Sequence, residues 1–168
     1  AAWTTSLPPL PAFGLIALLL IGSVWLDFAS HFFLPRSPMT FNELSLHPTL
    51  LAALPAELHT PTRIQQLAIP VALAGQDLLA LAQTGSGKTL AFGLPLLQGL
   101  DAASDRVQGL VLVPTRELAT QVNAALQGVA EALGLRTLTL CGGVPQEQQQ
   151  VELALGPQLL VATPGRLR

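Results

Sequence analysis

Residues 82–89 read Ala82-Gln83-Thr84-Gly85-Ser86-Gly87-Lys88-Thr89. Residues 77–81 before them are a short apolar run of strand length, and residues 89–100 after them carry apolar side chains at helical spacing. The glycines therefore sit where a strand is expected to turn into a helix. In that context the stretch reads as a phosphate-binding loop. Gly85 and Gly87 allow a tight turn that brings backbone N–H groups close to an anion, and the helix N-terminus adds a dipole worth about half an elementary charge. Lys88 can reach terminal phosphates and the Thr89 hydroxyl can hold Mg2+. The chain has eight Lys and Arg in all, and Lys88 is its sole lysine, a compact ammonium on a flexible stem where arginine serves everywhere else. The usual pattern places a further glycine at position 82, where this chain has Ala82. The competing reading of these residues is a Gly-Ser turn capping an ordinary helix that begins Lys-Thr.

Working outward, 168 residues suffice for one domain and not for two. The net charge of −2 excludes a bulk basic field, so any nucleic-acid contact must be local. The lone Cys141 excludes an intramolecular disulfide and a cysteine metal cluster, fits a reducing compartment, and is expected to be a small core residue. Hydrophobic residues make up 50% and charged residues 11% of the chain, an apolar balance that is partly local, because residues 1–26 carry no charge. The expected organisation is therefore an apolar leader over 1–38 and a domain over 39–168. The leader is near the lower limit for a membrane span and lacks the basic start of a signal peptide. It reads as upstream or non-native sequence, with a membrane anchor and an interfacial or disordered arm as the alternatives. Membrane contact is expected only if residues 1–38 are native.

Leucines at 50, 51, 54 and 58 predict an amphipathic helix interrupted near Pro55. Thr60-Pro61 supplies an N-cap and a first-turn proline for a second helix with Ile64, Leu67, Ala68, Val71 and Ala72 on its apolar face, ended by Gly75. Gln65, near its start, offers an amide that matches the N6 and N7 edge of adenine. Beyond the loop helix, residues 110–113, 138–141 and 159–162 are further apolar strands. Between them lie a helix starting near Pro114-Thr115-Arg116-Glu117 and stopping at Gly134, and a polar helix opened by Pro145. Alternating continuous apolar strands and helices predict an α/β parallel sheet with helices on both faces, and ligands in such sheets bind beyond the carboxyl ends of the strands.

With these residues laid out, residues 41–168 resemble the first RecA-like domain of DEAD-box ATP-dependent RNA helicases, an α/β P-loop NTPase fold that is incomplete here. Phe41 and Thr60-Pro61-Thr62-Arg63-Ile64-Gln65 resemble the family's adenine motif, and residues 82–89 its phosphate loop, including Ala82 in the first place. Pro114-Thr115-Arg116-Glu117-Leu118-Ala119, Gly142-Gly143 and Thr163-Pro164-Gly165-Arg166 resemble its successive RNA-contacting motifs. Where the family usually has Gly and an aromatic residue ahead of the Pro-Thr pair, this chain has Glu57 and Leu58.

The resemblance implies a cytoplasmic protein that uses ATP and Mg2+ to unwind or remodel RNA. Phe41, Arg63, Gln65 and Ala82, Gln83, Thr84, Gly85, Ser86, Gly87, Lys88 and Thr89 would bind the nucleotide, with Thr89 on the metal. Pro114, Thr115, Arg116, Gly142, Gly143, Thr163, Pro164, Gly165 and Arg166 would touch RNA through its backbone. The family's Asp-Glu-Ala-Asp motif falls beyond Arg168, as does the second RecA-like domain. The 168-residue chain alone is accordingly expected to lack a complete catalytic set and to be inactive. The alternatives are a non-catalytic nucleotide- or RNA-binding fragment, and another P-loop ATPase with a membrane leader.

Overall fold

The computed structural model describes residues 17–18 and 39–167 of the chain. The remaining expectations for the leader, anchor or otherwise, lie outside the described residues. Among the described residues no helix is long and apolar enough to cross a membrane.

Among the described residues, four parallel strands form one sheet in the order β1-β2-β4-β3. They are β1 (Ala17–Leu18), β2 (Gly109–Leu112), β3 (Thr137–Leu140) and β4 (Leu159–Ala162). The helices of the described residues are α1 (Pro48–Ala52), α2 (Arg63–Leu73), α3 (Lys88–Gln98), α4 (Arg116–Ala132) and α5 (Gln146–Ala154). Short 3-10 turns cover Phe41–Leu44 and Pro164–Arg166.

Side chains alternate between the two faces of the sheet with period two; β4 is buried on both faces, whereas β2 and β3 alternate buried with half-buried residues. Val111, Leu159 and Val161 point into the main core, where they meet Ile69 of α2, Leu94 and Leu97 of α3, and Val122, Leu126 and Val129 of α4. Leu138, Leu140, Leu160 and Ala162 form a smaller cluster on the other side, flanked by the half-buried Leu110 and Leu112. Helices α3 and α4 cross closely: a Cβ on Gly93 would collide with the Leu126 side chain, so the helix axes approach at a residue without one.

Three local expectations are corrected. The apolar run 77–81 is not a strand; Leu79 and Leu81 are each 73% exposed, and among the described residues no backbone hydrogen bond reaches the run. Strand identity needs a ladder partner as well as an apolar pattern, and the free edge of β2 is taken by β1 instead. Helix α1 ends at Ala52, well short of Leu58. Helix α2 is capped by Thr62 and not Thr60, because Gln65 lies three residues beyond Thr62 and accepts a 2.8 Å hydrogen bond from its backbone N–H. The face of α2 turned to the core carries Gln65, Ala68 and Ile69, and Leu67 lies outward, 54% exposed.

Candidate functional site

The phosphate loop is held at both of its ends. Gly87 is the N-cap of α3 with φ of 88°, a left-handed conformation that disfavours any side chain. Its carbonyl accepts a 3.1 Å hydrogen bond from Gln65 Nε2. A Cβ at Gly87 would come within 2.6 Å of that same nitrogen, so the glycine is needed for the close approach as well as for the turn. Gln65 is only 2% exposed and spends its oxygen on the Thr62 N–H and its nitrogen on Gly87. It thereby clamps the start of α2 onto the loop.

Lys88 folds over the loop, with Nζ donating to the carbonyls of Ala82 and Gln83 at 2.5 Å each. Ser86 Oγ is buried with no hydrogen-bond partner among the described residues. A buried hydroxyl without a partner costs free energy. Here it lies in a loop that also presents a helix N-terminus and an ammonium, and a phosphate oxygen would satisfy it. Thr89 follows Lys88 in the first turn of α3 and is half-buried. Among the described residues no group of three or more His, Cys, Asp or Glu is placed to hold a metal ion. Arg63 is exposed at the first position of α2, whereas Phe41 is 4% exposed and packs in the main core.

The second group of residues lies at the carboxyl ends of the strands. In the sheet register Ala162 faces both Leu112 and Leu140, so three strands end level. The turns that leave them must then run side by side. Hydrogen bonds from Val113 N to Ala162 O (2.9 Å) and from Thr163 N to Leu140 O (3.0 Å) carry the alignment past the strand ends. Arg116, exposed at the start of α4, donates from Nη1 to Gly142 O at 3.3 Å. Gly143 has φ of 89°, and a Cβ there would collide with Arg116 Nη1. Arg166 donates from Nε to Gln149 Oε1 at 2.6 Å and from Nη2 to Val144 O at 2.5 Å. Gln149 Nε2 in turn donates to Cys141 O at 3.1 Å.

Thr115 caps α4 by accepting from Leu118 N at 3.2 Å. The Glu117 carboxyl titrates below its ordinary range because it accepts from its own backbone N–H, with the Thr115 hydroxyl and the neighbouring Arg116 charge adding to the effect. Pro114, Thr115, Gly143, Pro164 and Gly165 are exposed, and Gly142, Thr163 and Arg166 half-buried.

Of the residues expected from sequence, Gln65, Ala82, Gln83, Gly87 and Lys88 form one bonded group and Arg116, Gly142 and Arg166 belong to a second, while Phe41, in the core, and Arg63, exposed, join neither by a side-chain hydrogen bond among the described residues. Among the described residues no side-chain hydrogen bond joins the groups. Sequence reasoning missed Gln149 and Val144. Residues 146–154 read as polar all round, and nothing local separates the buried Gln149 from its exposed glutamine neighbours.

A phosphate loop opening a helix, beside a parallel sheet whose aligned strand ends carry two arginines, defines a P-loop domain of the RecA-like class. Residues 62–168 match the model of the DEAD/DEAH box helicase family, and the chain belongs to that family. It is 49% identical over 129 residues to the ATP-dependent rRNA helicase RRP3 of Debaryomyces hansenii, covering 76% of this chain and 27% of that protein. The protein of the same name from Candida albicans is 46% identical over 129 residues, covering 76% of this chain and 24% of the relative. Among solved structures, the yeast DEAD-box splicing factor Prp28 superposes with a TM-score of 0.69 at 34% identity, over 79% of this chain and 34% of that one. The chain spans about a quarter of the length of the curated relatives it matches.

Proposed function

We propose that the protein carrying this domain is an ATP-dependent RNA helicase. The observation that carries the reading is the pairing of a clamped phosphate loop with a row of hydrogen-bonded strand-end turns bearing Arg116 and Arg166. The names of the relatives, ATP-dependent rRNA helicases, support it.

In this reading the backbone N–H groups of the loop, with Lys88, hold the phosphates of ATP. Lys88 exchanges its two carbonyl partners for phosphate oxygens, a trade of neutral acceptors for charged ones. Thr89 is the side chain assigned to Mg2+, whose chemistry when bound is to neutralise charge on the phosphates. The adenine side falls to the start of α2, where Arg63 is exposed and Gln65 fixes the backbone against Gly87. Phe41 supports that region from the core.

RNA lies across the strand-end turns. Each arginine keeps donors beyond those it spends on the protein, since a guanidinium carries five N–H groups. They engage phosphate and ribose and read no bases, which a protein of net charge −2 can do. A second RecA-like domain completes the ATP site and couples hydrolysis to strand separation. The compartment assigned is the cytoplasm, in keeping with the free, buried Cys141.

The test is ATP turnover by the full-length protein with and without RNA. Stimulation by RNA, abolished by Lys88→Ala, supports the helicase. Turnover indifferent to RNA would assign the fold to another class of P-loop ATPase.

A further inference from the structure

Gln149 is the buried polar residue of an otherwise largely exposed helix. It is 4% exposed, while residues 146–148 and 150–151 around it are open to solvent. A buried amide is costly unless both ends are bonded. Here both are, and the two partners belong to different RNA-facing turns. Its nitrogen donates to Cys141 O, one residue ahead of Gly142-Gly143, and its oxygen accepts from Arg166 in the turn after β4.

Arg166 consequently has one whole edge of its guanidinium committed. Nε is held by Gln149 and Nη2 by the Val144 carbonyl. Of the three remaining N–H groups, one on Nη1 and one on Nη2 run parallel along the adjoining edge of the same planar fork, a geometry matched to two oxygens of a phosphate. An arginine side chain is otherwise rich in rotamers, and fixing it in advance removes an entropic cost of binding. On the RNA reading given above, we infer that Gln149 is the positioning residue of this face. It touches no RNA itself and acts by holding Arg166 ready for an RNA phosphate, in register with the Gly142-Gly143 turn.

The experiment is a double-mutant cycle in the full-length protein, read as the affinity for a fluorescein-labelled single-stranded oligouridine over a range of salt concentrations. Gln149→Met keeps the length and removes both hydrogen bonds. It should weaken RNA binding about tenfold in the wild-type background and hardly at all when Arg166 is already Ala. The slope of affinity against salt should fall by the same amount, about one phosphate contact, in Q149M and in R166A. Nucleotide affinity should stay as in the wild type. Gln149→Asn keeps an amide but is one methylene too short to span both partners, and should reproduce the result should Q149M fail to fold. Equal losses in both backgrounds, or an unaltered salt slope, would overturn the positioning role while leaving the RNA face intact. No loss in R166A itself would instead overturn the RNA reading of this face.

Discussion

Gln65 and Gly87 are joined across 22 positions of sequence by a 3.1 Å hydrogen bond from the amide nitrogen to the glycine carbonyl. The bond ties the start of α2 to the N-cap of α3, and so makes the geometry of the phosphate loop depend on a side chain outside it. Because Gln65 is buried and both ends of its amide are satisfied, the linkage is stiff.

Gly87→Ala should therefore damage loop and clamp together. The new Cβ meets Gln65 Nε2 at 2.6 Å, and φ of 88° is strained for alanine. We expect a stability loss of about 1–3 kcal/mol with weakened nucleotide binding. Thermal unfolding and a nucleotide titration report the two effects. In a Gln65→Ala background, where the clamp is already lost, Gly87→Ala should cost only the backbone strain, so the double variant should lose less than the sum of the two single losses.

Lys88→Ala should cost nucleotide affinity. Removing charge-assisted phosphate contacts amounts to roughly 1.5–3 kcal/mol, or about ten- to more than a hundredfold in Kd. Calorimetric titration with ATP measures it. Binding equal to that of the wild type would place the phosphates elsewhere.

Gly143→Ala acts on the other group of residues. Its methyl displaces the Arg116 guanidinium and breaks the contact with Gly142 O. RNA affinity should drop several-fold, while ATP affinity in the absence of RNA stays constant, because no side-chain bond among the described residues links this turn to the phosphate loop. A parallel fall in both affinities would show that the two groups are coupled.

At the α3–α4 crossing, Gly93→Ala drives a methyl into Leu126, a fully buried side chain of the main core. Overpacking of this kind costs about 1–3 kcal/mol. The midpoint of denaturant unfolding should fall, and Leu126→Val in the same chain should recover part of the loss by vacating the space. A Gly93→Ala midpoint at the wild-type value would mean that the helices can move apart freely.

Glu117 gives the acid side of the stability profile a sign. Its folded pKa is lowered, so the unfolded chain binds more protons, and the carboxylate stabilises the fold above the ordinary carboxylate range. That contribution is lost as pH falls through the lowered folded value. Between neutral pH and about pH 3, Glu117→Gln should lose less stability than the wild type, by denaturant midpoints at each pH. An identical acid slope in both proteins would remove Glu117 from the account.

Much of the fold was legible because it is written in short-range patterns. Residues 110–113, 138–141 and 159–162 are strands to within a residue, since each is an apolar run bounded by turns. The starts of α3 and α4 were equally plain, one after Gly87 and the other capped by Thr115. The run 77–81 misled because it has the same composition as those strands and no partner to pair with. Leu67 misled because the face that α2 turns to the core is centred on Gln65, Ala68 and Ile69, so that a polar residue is buried and a leucine left out.

The sequence by itself determined the glycine-rich loop, the helices near it and the three strands that follow it, and the two sets of candidate residues, because glycine turns, caps and hydrophobic periods act over a few positions. Only the tertiary structure decided which polar groups are buried and whom they bond. Gln65 and Gln149 each look like any helical glutamine until chain segments distant in sequence close over them. Burial removes water as their partner, and the bonds they then must make, to Gly87 in one case and to Cys141 and Arg166 in the other, are what bind the separate motifs into two groups.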